Sequence, residues 1–245
     1  MRCQKKLIYK SKNKIIMKKL LATGVALLLV ASLTAQISFG PRVGFNLTNM
    51  TERYDGSGNL LEDANFRPGF QVGFVVGIPL VGDLLTIQPG LLFATQGFRW
   101  SESESETFMG QTITTEFDMT LGLNYLQMPI DLQLGFDVGR NARVMVQAGP
   151  YLGFALSGNM NIEYSTTMFG QTETETIDES VEFGSGSGEM NRLDFGVGFG
   201  AGVQFGRIQV GASYNLGLAN LSNEEGTTTR NNGLALTVTY LFGGR

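Results

Sequence analysis

Ionisable and amide side chains recur at alternate positions inside the apolar stretches of this 245-residue chain. Alternate residues of a β-strand share a face, so these polar groups would all lie opposite the apolar side. A charge removed from water is costly unless it is paired. We therefore expect a structural polar network inside the fold, with Arg42 and Asp131 near its middle on roughly opposing walls. Its predicted members are Arg42, Arg67, Gln88, Asp131, Gln147, Arg192 and Asp194.

A second set of acidic residues lies in long polar segments between the apolar stretches. Such crowded carboxylates form a solvated, mutually repelling surface. An alternative is a diffuse Ca²⁺ or Mg²⁺ site that bridges the loops to each other or to lipopolysaccharide phosphates, although no spaced calcium-binding loop is present. The candidates for an interaction surface are Glu102, Glu104, Glu106, Glu173, Glu175, Asp178 and Glu179.

Histidine is absent from the sequence. Triad hydrolases and histidine-based metal sites depend on that residue, which excludes them. The Gly-rich run at 195–202 is not followed by a helical pattern, so it does not match a phosphate-binding loop. We therefore predict that the protein is not an enzyme and has no catalytic, cofactor-binding or metal-binding residue, hence no cofactor. A carboxylate-only enzyme is the remaining alternative.

The elements that would position these groups are strands with unequal faces. From Leu193 to Phe205 every odd residue is apolar, and every even residue is Asp, Gln or Gly. A face made almost wholly of glycine has little bulk, as the narrow interior of a small closed barrel requires. A soluble lipocalin-like barrel would instead leave these glycines facing water, a poor use of residues that weaken strands. The pattern favours a barrel that spans a membrane.

The same alternation occurs about eight times along the chain. Short connections (81–83, 137–142 and 206–207) alternate with long polar ones (50–65, 99–116, 158–189 and 220–231). This arrangement is typical of bacterial outer-membrane proteins. The predicted fold is all-β, an eight-stranded antiparallel up-and-down transmembrane β-barrel with long extracellular loops and short periplasmic turns. The predicted strands are about 37–48, 66–78, 84–98, 117–136, 144–156, 193–205, 208–218 and 233–242.

Two local features refine this prediction. In the fourth strand the apolar positions change from odd to even, which predicts a β-bulge near Asn124–Tyr125 that reconciles the two halves on one face. Residues 108–118 and 168–178 both contain Gly-Gln-Thr followed by Thr-rich alternation, which favours strands. We expect the second and third long loops to project as β-hairpins that turn near Gly110 and Gly170.

Residues 17–35 predict a secretory signal, because Lys18 and Lys19 precede a short apolar run and Ala35 stands before an expected cut at Gln36. The alternative, a transmembrane anchor, would need a longer run. The predicted domains are an N-terminal extension and cleavable signal peptide at 1–35, with Met17 as the true start, and an outer-membrane β-barrel domain at 36–245.

Cleavage would change the charge of the chain. Residues 1–35 hold eight of the 18 basic residues and no acid, so the mature chain keeps ten basic residues against 22 acids, a net charge of −12. Nucleic-acid binding is disfavoured, because it requires basic patches. The only cysteine, Cys3, leaves with the same segment, which excludes a disulfide in the mature chain.

Five blocks of the chain carry a likeness to a known family. They are Phe-Gly-Pro-Arg-Val-Gly-Phe-Asn at 39–46, Tyr-Leu-Gln-Met-Pro-Ile at 125–130, Ala-Gly-Pro-Tyr-Leu-Gly at 148–153, the Gly-rich 195–202 and the closing 236–242. In these blocks the chain resembles the PorT-like outer-membrane β-barrel family, small barrels of about eight strands that carry a signal. The resemblance spans 37–242 and implies the fold and the outer membrane of a Gram-negative bacterium. Some members are associated with protein secretion. The blocks are architectural, so the resemblance implies no functional residue.

Three functions remain open at this point. The acidic loops favour a non-enzymatic integral outer-membrane protein with a structural or surface-interaction role. The resemblance alone implies an accessory component of a secretion or envelope-assembly machine. A narrow small-solute channel is permitted by the polar interior and opposed by its small bore. Conductance in planar bilayers separates the channel from the others, and crosslinking in native membranes separates the first two.

The expected location is the bacterial outer membrane, as an integral multi-pass β-barrel. The expected partners are outer-membrane lipid and lipopolysaccharide, with an extracellular or envelope protein at the loops. We expect no nucleic-acid partner and a monomeric protein.

Overall fold

The computed structural model describes residues 37–55, 61, 64–108 and 111–244. The predicted signal peptide, its cut and the start at Met17 lie outside these residues. Within them, no helix is long and apolar enough to cross a membrane. The strands are β1 (Ser38–Tyr54), β2 (Asn65–Val81), β3 (Leu85–Phe108), β4 (Gln111–Val138), β5 (Ala142–Met168), β6 (Gln171–Ser180), β7 (Leu193–Phe205), β8 (Ile208–Gly217), β9 (Thr227–Tyr240) and β10 (Phe242–Gly243).

Eight of these strands form a closed antiparallel ring. Its order is β1-β2-β3-β4-β5-β7-β8-β9, and β9 pairs with β1 to close it. The closing ladder runs from Arg42↔Thr239 to Tyr54↔Thr227. The strands β6 and β10 lie outside the ring and pair with β5 and β1. The predicted ring of eight strands is confirmed. Outside the ring, β6 belongs to the hairpin predicted to turn near Gly170, and β10 was not predicted as a separate strand.

Apolar side chains cover the outside of the ring and polar side chains fill its inside. In β1, Phe39 and Val43 are 55% and 52% exposed, whereas Arg42 between them is 5% exposed. In β7, Phe195 is exposed and Asp194 is buried. The predicted faces of these two strands are confirmed. An apolar surface around the whole ring is unfavourable in water and suits a hydrocarbon surrounding.

This apolar belt ends at a similar level on neighbouring strands. Outward residues turn polar after Leu47 in β1 and after Leu156 in β5, and in β4, which runs the other way, they are polar before Leu126. The belt covers about 27 Å along β1 at about 3.4 Å per residue. The ends of β3 and β5, the start of β4 and all of β6 therefore lie beyond the belt.

Two hairpins extend beyond the belt where the sequence predicts long loops. The strands β3 and β4 remain paired as far as Phe108↔Gln111, and β5 and β6 as far as Met168↔Gln171. The second hairpin turns at Phe169 and Gly170, which have φ of 56° and 74°, a region that glycine adopts without strain. The predicted turn near Gly170 is confirmed, and Gly110 lies outside the described residues.

A β-bulge interrupts the pairing of β4 with β5 at the predicted level. Asn124 lies opposite Ser157 and Tyr125 opposite Ala155, so Leu156 of β5 is the extra residue. The odd positions of β4 consequently face the interior without a break, and Leu121 and Leu123 are buried. The expectation that the bulge reconciles both apolar sets on one face is wrong. The apolar residues of β4 change between odd and even positions because the interior of the ring is itself apolar beyond the belt.

Candidate functional site

A layer of hydrogen-bonded side chains crosses the interior of the ring. The Arg42 guanidinium lies 3.5 Å from the Asp131 carboxylate, measured from Nη1 to Oδ2. Its Nε donates to the Thr239 hydroxyl at 3.0 Å, and its Nη2 donates to the side-chain carbonyl of Gln88. These four residues belong to β1, β4, β9 and β3, so the contacts join strands that are not all neighbours.

Glutamine side chains extend this layer towards the tight turns. Gln133 donates to Gln88 at 2.7 Å and to Gln147 at 3.1 Å. Gln209 donates to Gln133 at 3.3 Å and accepts from Gln88 at the same distance. We name Arg42, Gln88, Asp131, Gln133, Gln147, Gln209 and Thr239 the polar layer.

Asp194 lies in a separate buried group. It is fully buried in β7 and accepts a hydrogen bond from Nδ2 of Asn231 at 3.0 Å. The same amide lies 3.2 Å from the hydroxyl of Tyr125. The interior therefore holds at least two polar groups instead of one continuous network.

Two of the predicted network residues lie elsewhere. Arg67 is half-buried and donates to the backbone carbonyl of Gln96 at 3.3 Å. Arg192 is exposed, and its guanidinium carbon lies 4.9 Å from the centre of the Phe183 ring. Arg192 precedes the first residue of β7, so the alternation that turns Asp194 inward does not extend to it. The structure thus corrects the placement of Arg192 in the interior.

The interior has little free volume near the polar layer. A space lined by Arg42, Asp131 and Gln147 measures about 30 Å³. A second, lined by Asn231 and Tyr151 on the side of the Asp194 group, measures about 10 Å³. Together they have room for one or two water molecules. A polar space of about 210 Å³ lies between the layer and the tight turns. The spaces in the middle of the ring are therefore too small for a solute larger than a few water molecules.

A much larger cavity, the mouth cavity, occupies the opposite end of the ring. Its volume is about 1080 Å³. The described residues that line it include no Arg or Lys. Its apolar lining is Met50, Leu61, Phe98, Trp100, Met119, Leu121, Met160, Val181 and Met190. Its acidic lining is Glu52, Glu179, Glu182, Glu189 and Glu224.

Buried apolar side chains separate the mouth cavity from the Asp194 group. Leu123, Tyr125, Ala155 and Leu221 are fully buried and pack in one cluster with residues of the cavity wall. The irregular segment at 181–192 contributes to the wall through bridges between Phe183 and Met190 and between Met190 and Ser222. The mouth cavity is thus an apolar recess with a closed inner end.

The mouth cavity was not predicted from the sequence. The sequence signal for the cavity is the odd-numbered apolar run of Met119, Leu121 and Leu123. The period of this run is equally typical of a lipid-facing surface. Other wall residues, such as Val181 and Met190, lie in irregular segments where no alternation assigns a face.

The two hairpins combine into one four-stranded sheet beyond the belt. This projecting sheet comprises 100–108 of β3, 111–119 of β4, 161–168 of β5 and β6, in that order. Directly opposed residues of antiparallel strands share a face. The face that contains Trp100, Met119 and Ile162 continues the interior surface of the ring.

Six of the seven candidate loop acids lie on this same face, which we name the acidic face. Glu102, Glu104 and Glu106 follow β3, and Glu173, Glu175 and Glu179 follow β6. Three strand spacings place the two rows about 14 Å apart. Between them runs an apolar stripe that includes Ile113, Phe117, Ile162, Tyr164 and Met168. Asp178 lies on the other face, where it accepts from Asn161 at 2.7 Å.

The opposite face of the projecting sheet is rich in hydroxyl groups. The hydroxyl oxygens of Ser105 and Thr114 lie 2.9 Å apart, and those of Thr167 and Thr172 lie 2.7 Å apart. Arg99 donates to Asp118 at 2.8 Å, and the Ser101 hydroxyl donates to the same carboxylate. The hydrogen bond from Ser101, and then that from Arg99, hold the pKa of Asp118 below its usual value.

The Asp118 cluster predicts a small loss of hairpin stability in acid. Because its folded pKa is lowered, Asp118 contributes stability above the unfolded pKa of about 3.9, and loses it as pH falls through the folded pKa. The contribution is below about 1 kcal/mol, since the ion pair is exposed. An NMR carboxyl titration should find a raised Asp118 pKa in Ser101→Ala and no change in Ser103→Ala. Equal pKa values in the wild type and Ser101→Ala would contradict the assignment.

Among the residues that the structure describes, no group of three or more Cys, Asp or Glu is placed to hold a metal ion. The diffuse Ca²⁺ or Mg²⁺ site on the loops stays a hypothesis.

Comparison with known protein families agrees with this architecture. Residues 31–223 match a family described as an outer membrane protein beta-barrel domain. No curated protein matches the chain. Similar solved structures include Ail of Yersinia pestis in complex with the heparin analogue sucrose octasulfate, at 14% identity and a TM-score of 0.35, covering 84% of this chain and 99% of Ail.

Two further solved structures have similarly low identities and TM-scores. Neisserial surface protein A is 12% identical, with a TM-score of 0.35 and coverage of 84% of this chain and 97% of that protein. An outer membrane channel of Pseudomonas putida F1 is 10% identical, with a TM-score of 0.29 and coverage of 85% and 96%.

The family match covers most of the chain, including seven of the eight ring strands. The apolar belt, the polar interior and this match all indicate the bacterial outer membrane. The chain belongs to the outer membrane protein beta-barrel domain family.

Proposed function

We propose that this protein is a non-enzymatic, integral multi-pass outer-membrane barrel that acts at the cell surface through its acidic loops. Its partner on this proposal is a polypeptide surface that presents cationic side chains around an apolar centre. The observation that carries the proposal is the acidic face, where two rows of glutamates flank an apolar stripe. The short turns then face the periplasm, and the hairpins face outward.

A simpler explanation is that the acids protect exposed strand edges from pairing with other chains. Edge protection requires charge along an edge and is indifferent to the face on which it lies. In β3, however, Glu102, Glu104 and Glu106 all share the acidic face, while the residues between them are serines. This one-sided placement favours recognition by a partner that contacts that face.

The other functions have less support. A role in secretion or envelope assembly, and membership of the PorT-like group within the family, rest on the sequence resemblance alone. A small-solute channel is opposed by the polar layer and by the small size of the spaces in the middle of the ring.

The proposal predicts that the protein, refolded in micelles, binds a basic polypeptide through the acidic face. Fluorescent poly-lysine is the probe, and poly-glutamate tests for non-ionic adsorption. The variant Glu102→Gln/Glu104→Gln/Glu106→Gln is expected to weaken poly-lysine binding at least about tenfold, a loss of about 1.4 kcal/mol. The matched control Glu116→Gln/Asp118→Asn/Glu163→Gln removes the same charge from the opposite face.

The control is expected to change the affinity by less than about threefold, because a distant exposed charge is screened by salt. Equal losses in both variants would mean that net charge alone attracts the probe, and would refute recognition by the acidic face. Binding of poly-glutamate as tightly as poly-lysine would refute the cationic partner.

A further inference from the structure

The mouth cavity combines features of a small-molecule site. Its volume of about 1080 Å³ lies at the upper end of the range of ligand pockets, about 300–1000 Å³. Four methionines line it: Met50, Met119, Met160 and Met190. Methionine side chains are flexible and polarisable, so such a wall adapts to apolar bodies of different shape.

The charges on the cavity restrict the ligand class. Glu179, Glu182 and Glu189 lie on one side, on β6 and the segment after it, and Glu224 comes from the segment before β9. No basic side chain stands among the described lining residues. Such a rim repels carboxylates, phosphates and sulfates and attracts cations.

The aromatic lining provides a second attraction for a cation. Trp100 lines the cavity together with Phe98, and its indole packs edge-on against Phe117 at 6.1 Å between ring centres. An organic ammonium that contacts an indole face gains a cation–π interaction that a neutral molecule lacks.

We propose that the mouth cavity binds an organic ammonium ion with an apolar body, whose apolar part contacts the methionine wall and whose cation lies among the glutamates. This goes beyond the proposed function, because the ligand is a small molecule held inside the mouth of the ring. Of the glutamates on the acidic face, only Glu179 also lines the mouth cavity.

The single tryptophan of the chain makes the test direct. The full-length mature protein is refolded in a maltoside detergent, since zwitterionic detergents carry ammonium groups of their own. Indole fluorescence is then followed during titration with para-tert-butylphenyltrimethylammonium. The matched anion, para-tert-butylbenzenesulfonate, has the same apolar body. The cation is expected to bind at least tenfold more tightly than the anion.

Two variants with the same charge change identify the site. Glu179→Gln/Glu189→Gln/Glu224→Gln is expected to reduce the preference for the cation at least tenfold. Glu116→Gln/Asp118→Asn/Glu163→Gln, which lies outside the cavity on the opposite face of the projecting sheet, is expected to leave it within twofold. Met119→Lys places a cation in the cavity and is expected to abolish binding of the ammonium probe.

Each outcome of these titrations either supports or overturns the proposal. Loss of preference in the rim variant alone supports the proposal. The proposal is overturned by no change in Trp100 fluorescence with either probe, by equal binding of both probes, or by an equal loss in the two triple variants. Failure of poly-lysine binding would contradict the proposed function and leave this titration unaffected.

Discussion

Asp131→Ala is expected to destabilise the folded ring by about 3–5 kcal/mol, because it leaves a buried arginine without its counter-charge. Arg42 and Asp131 are 5% and 7% exposed and lie 3.5 Å apart. Arg42 also donates to Thr239 and Gln88, so its guanidinium cannot leave the interior without breaking the polar layer. Urea unfolding of the refolded protein measures the loss, and the temperature at which the compact form disappears on gels provides a second readout.

A double-mutant cycle identifies the cause of this loss. Arg42→Ala/Asp131→Ala is expected to be less destabilised than the sum of the single variants, by about 1–3 kcal/mol, since neither charge remains unpaired. The control Asp137→Ala removes an exposed carboxylate near a tight turn and is expected to change stability by less than about 0.5 kcal/mol. Additive single effects would show that the two charges do not stabilise one another.

Gly149→Ala is expected to prevent the ring from closing. A Cβ at Gly149 would lie 1.9 Å from the backbone oxygen of Ile130 and 3.0 Å from the Cα of Asp131. These are backbone atoms of the neighbouring strand β4, so relief requires the two strands to separate. Overpacking of a well-packed interior costs about 1–3 kcal/mol or more, and here it also breaks the pairing beside the polar layer. We expect little folded protein in the refolding assay.

The matched control is the same substitution at another inward-facing glycine. At Gly211 the nearest atoms to a new Cβ are the Thr237 hydroxyl oxygen at 3.4 Å and the Ala201 oxygen at 3.6 Å, which are ordinary contacts. Gly211→Ala is therefore expected to refold like the wild type. Equal refolding of both variants would show that close strand approach is not the reason for glycine at 149.

Alternation identifies the faces of strands wherever one face contacts lipid. For this reason the bounds of β7 and the inward placement of Arg42, Asp131 and Asp194 follow from the sequence. Beyond the belt, the outward residues are polar and the interior of the ring is apolar, so alternation no longer identifies which face is inside. Leu121 and Leu123 are apolar because they line the mouth, which the period alone cannot distinguish from a lipid-facing position.

Alternation does not assign a side to a residue that lies outside a regular strand, such as Arg192. Arg192 lies one residue before β7, and its position depends on Phe183 and on the Ala155 carbonyl, to which it donates at 3.1 Å.

Asp178 follows the alternation of β6 and faces away from the other candidate acids. Once 171–180 is known to be a strand, the alternation assigns Asp178 to the face opposite Glu175 and Glu179, and its pairing with Asn161 agrees.

The closure of the ring by β1 and β9 has a consequence for the order of folding. Arg42 and Thr239, which meet in that ladder, are 197 residues apart. Contacts at such separation form slowly, because the entropy of closing a long loop must be overcome first. The ring can close only after nearly the whole chain has been synthesised and exported. Until then β1 and β9 each have an unpaired edge and an apolar face, so the nascent protein depends on protection from aggregation before it reaches the bilayer.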